Sequence, residues 1–190
     1  MKNLAIIFTL LMITTGISVQ SASGQGPVNP AGAGNGILGF GFGPGIPYFG
    51  GSGFGPAILV HYDQSIWRAG PGSVSLGGQM GVSFFSTDFT HRGDPYTNRW
   101  TNVGIVFRSA YHYGWKVRGL DTYAGFGAGT LFNMYRNTEY GTPINDTQVG
   151  FLPTCFIGGT YFFNKVIGMN AEFGYNFAIA SIGLDFRFSR

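Results

Sequence analysis

AIASIGLDFRFSR, residues 178–190, is the stretch whose reading decides the fold. Ile182, Leu184, Phe186 and Phe188 share one parity, while Ser181, Gly183, Asp185, Arg187 and Ser189 share the other. A period of two belongs to a β-strand whose two faces meet different surroundings. In a soluble barrel the apolar face points inward to a core, and in a membrane barrel it points outward to lipid. The rest of the chain has to say which.

Working outward, the bulk composition favours strands. Charged residues make up 10% of the chain, while aromatics reach 17% and there are 33 glycines. Hydrophobic residues at 44% argue against disorder. Glycine recurs inside nearly every apolar run, where it would weaken a helix by about 1 kcal/mol each time. The net charge is +3, with the basic residues spread singly, so no nucleic-acid partner is expected. A single cysteine, Cys155, excludes an intramolecular disulfide framework and a cysteine-rich zinc site, and it reads as a small apolar strand residue.

The N-terminus carries the marks of export. MKN is a short positive region, LAIIFTLLMITTGISV an uncharged apolar stretch, and SASG supplies small residues suited to cleavage before Gln25. Residues 1–24 are therefore read as a secretory signal peptide. A signal anchor is the alternative, but the apolar core is short for a spanning helix. Residues 25–35, small and polar with two prolines, read as a flexible lead-in to a barrel domain over 36–190. No segment beyond the leader offers the ~18 uncharged apolar residues of a spanning helix, so a membrane protein here must be a barrel.

Eight alternating segments follow from residue 36. The first, 36–43, sets Leu38, Phe40 and Phe42 against glycines. The second, 55–67, sets Ile58, Val60 and Tyr62 against Leu59, His61 and Asp63. In 73–86, Val74, Leu76, Met80, Val82 and Phe84 oppose Ser73, Ser75, Gln79 and Ser83. In 100–113, Val103, Ile105, Phe107, Tyr111 and Tyr113 oppose Asn102, Gly104, Arg108 and His112. In 120–135, Ala124, Phe126, Phe132 and Met134 oppose Tyr123, Gly125, Gly127, Gly129 and Asn133. Pro153 and aromatics on both parities leave the phase of 150–163 open, with Gly158-Gly159 as a bulge candidate. In 167–177, Met169, Ala171, Phe173, Tyr175 and Phe177 oppose Asn170, Glu172, Gly174 and Asn176; the opening stretch is the eighth.

Long links (a Pro/Gly-rich first, then the polar loops 87–99 and 136–149) alternate with short ones until a tight seventh link breaks the pattern. Alternation of long outer loops with short periplasmic turns is the habit of an up-and-down transmembrane barrel with an even strand number. Trp67, Tyr113 and Trp115 then fall at periplasmic strand ends, and Trp100, Tyr96 and Tyr135 near outer ends, which reads as two aromatic girdles. The polar parity holds mainly Gly, Ser, Asn and Gln, too little charge for a water-facing exterior.

With these residues in view, the chain resembles the small outer-membrane β-barrel proteins of Gram-negative bacteria, with an eight-stranded fold like the outer-membrane protein A transmembrane domain. The resemblance covers roughly residues 36–190 and rests on AYHYGWKVRGLDTYAGFGAGT (110–130), on GGTYFFNKVIGMNAEFGYNFAIASIGLDFRF (158–188) and on the leader. It implies a closed antiparallel barrel in the bacterial outer membrane, with outer-membrane lipid, periplasmic chaperones and the barrel assembly machinery as partners. Leu184, Phe186 and Phe188 are similar to the terminal aromatic signal read by that machinery, although Ser189 and Arg190 follow Phe188. No cofactor is implied.

The ionisable and polar residues His61, Asp63, Gln79, Arg108, His112, Glu172, Asp185 and Arg187 share the lumen parity and read as an ion-paired filling. Arg108 with Glu172, and Arg187 with Asp185 or Glu172, are the candidate pairs. A narrow solute or ion path is the alternative use of the same residues. His61 and Asp63 beside Ser73 and Ser75 suggest a hydrolytic triad only weakly, since no nucleophile elbow is present. His91 near Thr90 and Ser86 is the remaining thought for a lipid-modifying enzyme. Gly34 to Gly39 matches a dinucleotide fingerprint by letter without strand or helix around it. Asn145 with Thr147 fits a glycosylation sequon that carries little weight in a bacterial setting, and the 3 histidines are too dispersed for a metal site. The expectation is therefore a non-enzymatic structural or surface-interaction barrel with no catalytic, cofactor or metal site, whose loops 87–99 and 136–149 offer a surface for an extracellular ligand.

Overall fold

The computed structural model describes residues 31–48, 55–91, 94–137 and 144–188. The expected leader, 1–24, and the start of the lead-in lie outside the described residues. Eight strands run in chain order: β1 (Gly36–Pro44), β2 (Pro56–Ala69), β3 (Gly72–His91), β4 (Asp94–Gly114), β5 (Leu120–Asn137), β6 (Ile144–Phe162), β7 (Ile167–Tyr175) and β8 (Ala180–Phe188). Each pairs antiparallel with its sequence neighbour, and β8 returns to β1 from Gly36↔Phe188 to Phe42↔Ile182, so the barrel is closed. Closure leaves no unpaired edge around the shared belt of strands. Each alternating segment of the sequence is one of these strands.

The alternation has the sense of a barrel turned inside out. Phe126 (72% exposed), Phe107 (62%) and Ile157 (63%) point outward, while Arg108, Asp121, Ser73 and Asn102 are wholly buried inside. The phase of β6 is now defined: Leu152, Thr154, Phe156 and Thr160 point in, and Phe151, Cys155, Ile157 and Tyr161 point out. Pro153 sits just beyond Cys155↔Tyr175, the last pair with β7, so it stands where one side of β6 has no neighbour. Proline, lacking an N–H, is tolerated on such an edge. Pairing runs unbroken through Gly158 and Gly159, and the register shift lies instead in β2, between Ser65 and Trp67. The β2–β3 connection is the two residues Gly70 and Pro71, with Gly70 at φ 59°, as a tight hairpin turn with glycine first requires.

Strand length divides the barrel in two. β1, β7 and β8 have 9 residues each, enough to cross a ~25 Å apolar band when tilted about 35°. β3 to β6 have 20, 21, 18 and 19 residues and continue about ten residues farther. The segments 87–99 and 136–149, read from sequence as loops, are therefore mostly ladder, with His91↔Asp94 and Asn137↔Ile144 the last pairs. Polar residues on both parities erase the alternation there, while the backbone pairing continues.

Candidate functional site

The lumen is filled in three layers. At the end that carries the N-terminal segment, Ala31, Ile37 and Phe162 form a small apolar cluster. Ala31 is fully buried, and its carbonyl accepts from Ser65 Oγ at 2.5 Å and Ser73 Oγ at 2.6 Å. The lead-in is thus anchored at its last residues rather than flexible throughout.

The middle layer is charged. Arg108, fully buried on β4, spans the lumen: its Nη2 lies 2.9 Å from Glu172 Oε2 on β7, Nη1 donates to Gln79 Oε1 at 3.1 Å, and Nε faces Asp63 Oδ1 at 3.3 Å. The guanidinium also stacks on the Phe156 ring, 3.9 Å from its centroid. Asp185 accepts from Thr160 Oγ1 at 2.5 Å and from Asn170 Nδ2, with His61 Nε2 at 3.6 Å. His112 bridges Asp121 Oδ2 at 2.8 Å and Ser75 Oγ at 3.0 Å. Buried charges survive only when paired; each of these is, although the Asp63 Oδ1–Arg108 Nε contact is an ion pair without hydrogen-bond geometry.

The third layer closes the lumen toward the long hairpins. The β7–β8 connection turns inward, so Phe177, assigned from sequence to the lipid parity, is fully buried. The chain leaves β7 after Tyr175, and the alternation that predicted an outward ring no longer applies. A β-carbon on Gly81 would stand 2.3 Å from that ring and one on Gly104 2.6 Å, so only glycine at this paired position admits it. Leu59, Val106, Leu131, Leu152 and Tyr48, with Ala57 and Ala178, complete the cluster. Tyr48 Oη donates to the carbonyl of Asn176 at 2.6 Å, and Asn176 Nδ2 donates to Gln79 Oε1 at 2.9 Å and Glu172 Oε1 at 3.2 Å, tying the apolar layer to the charged one.

Seven of the eight lumen candidates therefore point inward and are buried: His61, Asp63, Gln79, Arg108, His112, Glu172 and Asp185. Arg187 differs. Its Nε donates to the Lys165 carbonyl at 2.9 Å and its guanidinium lies 4.7 Å from the Phe162 ring centroid, at the rim rather than beside Asp185 or Glu172. Asp121 and Tyr123 were missed as partners. Asp121 follows Leu120 at the start of the fifth segment, on the same parity as Tyr123, which is the available signal.

The aromatic assignment divides in the same way. Trp67 and Trp115 are about half exposed on the outer wall, and Tyr113 stacks edge-on against Trp115 at 4.9 Å. Trp100 and Tyr135 do not face outward: both fall on the lumen parity, Trp100 is only 8% exposed, and their rings lie 5.5 Å apart. Above the apolar layer they join Phe85 and a chain of amides, Asn133 to Asn102 at 2.5 Å and Asn102 to Ser83 at 3.2 Å, on the concave face of the extended sheet. Of the terminal aromatic set, Leu184 and Phe188 are exposed, and Phe186 packs edge-on against Phe40.

Asp121, His112 and Ser75 have the connectivity of a hydrolytic triad, a different set from the His61 and Asp63 considered from sequence. The serine, however, is fully buried and also donates to the Ala110 carbonyl at 3.4 Å. A reacting carbonyl needs space about 3 Å from such an oxygen, together with oxyanion donors. The relay links three buried polar groups and presents no exposed face, with Asp121 Oδ1 left without a hydrogen-bond partner among the described residues.

No family model and no curated protein matches the chain. Among solved structures it is similar to the crystal structure of Ail, the attachment invasion locus protein of Yersinia pestis, in complex with the heparin analogue sucrose octasulfate, with TM-score 0.50 and 9% identity over 82% of this chain and 99% of that one. A second Ail crystal structure aligns with TM-score 0.49, 10% identity and the same coverage. The first likeness is one of fold: this chain is a small eight-stranded, closed, antiparallel β-barrel of the same architecture.

Proposed function

We propose that the protein is an integral outer-membrane barrel with a sealed lumen, which acts through its surface rather than as a pore or an enzyme. The observation that carries this reading is the inversion of the barrel. A connected band of Phe40, Ile58, Met80, Ile105, Phe126, Met169 and Ile182 covers the outside, while carboxylates and guanidinium fill the inside. Water-exposed proteins rarely present apolar patches beyond a few hundred Å². The nine-residue strands match the thickness of a bilayer core. On this reading residues 1–24 are removed on export, Leu184, Phe186 and Phe188 serve barrel assembly, and the barrel sits in lipid.

The surface in question is the extension of β3 to β6. Ail crystallised with a heparin analogue, but a dedicated polyanion site is not the natural inference for this chain. Residues 87–99 and 136–149 carry Arg92, Arg99 and Arg136 against Asp88, Asp94, Glu139 and Asp146. Near-balanced charge on a rigid, two-faced sheet suits a protein or neutral-glycan ligand better.

The purified chain from residue 25, folded into planar bilayers, is expected to insert and show no steady single-channel conductance. A reproducible conductance altered by Glu172→Gln would replace the sealed-lumen reading with a pore. A fluorophosphonate probe is expected to leave the protein unlabelled. Labelling abolished by Ser75→Ala would make it an enzyme.

A further inference from the structure

Among the described residues the exposed charged side chains at one rim are all basic. Of the 8 carboxylate side chains, Asp63, Asp121, Glu172 and Asp185 lie inside the barrel, Asp88, Asp94 and Asp146 belong to strands of the extended sheet, and Glu139 lies in the sequence between β5 and β6, outside the described residues. Asp121 stands near the hairpin end but is wholly buried, opposite Gly114, so among the described residues no exposed carboxylate side chain lies at the opposite rim, where the three short hairpin connections lie. That rim carries Arg68, Lys116, Arg118 and Lys165, all exposed, with Arg187 beside them.

Each hairpin repeats one local pattern. Trp67 precedes Arg68 at the end of β2; Trp115 precedes Lys116 and Arg118 between β4 and β5; Phe163 precedes Lys165 between β6 and β7. The three aromatic rings are exposed at 49%, 46% and 61%, at the level where the apolar band ends. An aromatic ring at that level rests against the bilayer interface, and the adjacent long cation extends its head into the polar region beyond. Successive hairpins are two strands apart, roughly 10 Å at the usual strand spacing, so each pair meets its own headgroup.

From this juxtaposition we infer that the hairpin rim is a binding surface for anionic phospholipid headgroups, three aromatic–cation pairs arranged around the barrel to hold an anionic lipid shell in the adjoining leaflet. The inference rests on the membrane reading proposed above. Its ligand is the phosphate diester of a lipid, presented at the level the rings set.

The test uses the tryptophans already in place. Trp67 and Trp115 lie on this rim, whereas Trp100 is buried toward the other end. In vesicles mixing phosphatidylcholine with phosphatidylglycerol, one or the other brominated, quenching of tryptophan fluorescence reports which lipid occupies the rim. The wild type is expected to prefer phosphatidylglycerol by about fivefold, the effect of about one basic residue near an anionic surface. The preference should vanish in the variant Arg68→Gln, Lys116→Gln, Arg118→Gln, Lys165→Gln, and should fall with added salt in the unmodified protein, which tests the idea even if that variant fails to fold. Equal quenching by both lipids in a heat-modifiable, folded wild type overturns the inference and leaves the membrane reading intact. Absence of quenching by either lipid removes both. Loss of the preference on adding inorganic phosphate at constant ionic strength would assign the cations to a soluble phosphate and overturn lipid docking.

Discussion

Arg108→Met is expected to lower the stability of the folded barrel by about 3–5 kcal/mol, the usual cost of removing one partner from a buried ionic cluster. The side chain is fully buried and is shared by Glu172, Asp63 and Gln79 from three other strands. Its loss leaves two carboxylates facing each other across a lumen with no cation between them. Methionine keeps much of the contact with Phe156, so the change isolates the charge. The measurement is the urea midpoint of unfolding from lipid vesicles, read by the mobility difference between heated and unheated samples. The triple variant Arg108→Met, Asp63→Asn, Glu172→Gln should recover more than half of the loss, because apolar or neutral replacements of a whole buried cluster are often tolerated. A loss below ~0.5 kcal/mol for Arg108→Met would mean that water reaches these carboxylates, and the lumen would then be a path.

That cluster also shows what the sequence could and could not carry. Parity alone put Asp63, Arg108 and Glu172 on one face, because a period of two is a property of the backbone and a charge facing lipid would be costly. Which of them meet is a matter of register between strands far apart in the chain, and one residue of slip would exchange every face. Arg187 has the correct parity and still stands at the rim, since height along the strand, not parity, separates it from Glu172. Trp100 and Tyr135 were misread for a related reason: girdle residues are expected near strand ends, but β4 and β5 do not end there. Where the sheet extends past the ends of its shorter neighbours, polar residues occupy both parities and hydrophobic alternation carries no signal. Phe177 was misread because the alternation was continued past Tyr175, where the strand stops.

Phe177→Ala should cost about 3–5 kcal/mol, the range for removing a fully buried aromatic side chain, and the more telling result lies in its coupling to the wall it touches. The ring crosses the lumen from the β7–β8 connection to rest on Gly81 and Gly104, which pair with each other on β3 and β4. A methyl group on Gly81 meets the ring at 2.3 Å, so Gly81→Ala in the wild type must displace it and should cost about 1–3 kcal/mol as an overpacked site. In the Phe177→Ala background the same methyl group enters vacated space and should cost little or even stabilise. The two changes are therefore expected to be non-additive by 1 kcal/mol or more, on the order seen for residues in direct contact. Additive losses would mean that the ring does not occupy the lumen. The same variant bears on permeability. Removing Phe177 opens only the apolar layer, while the Arg108 cluster and the Ala31, Ile37 and Phe162 cluster still lie below it. Phe177→Ala barrels should thus be less stable yet remain non-conducting, which separates a filling that holds the barrel together from a gate that regulates flow.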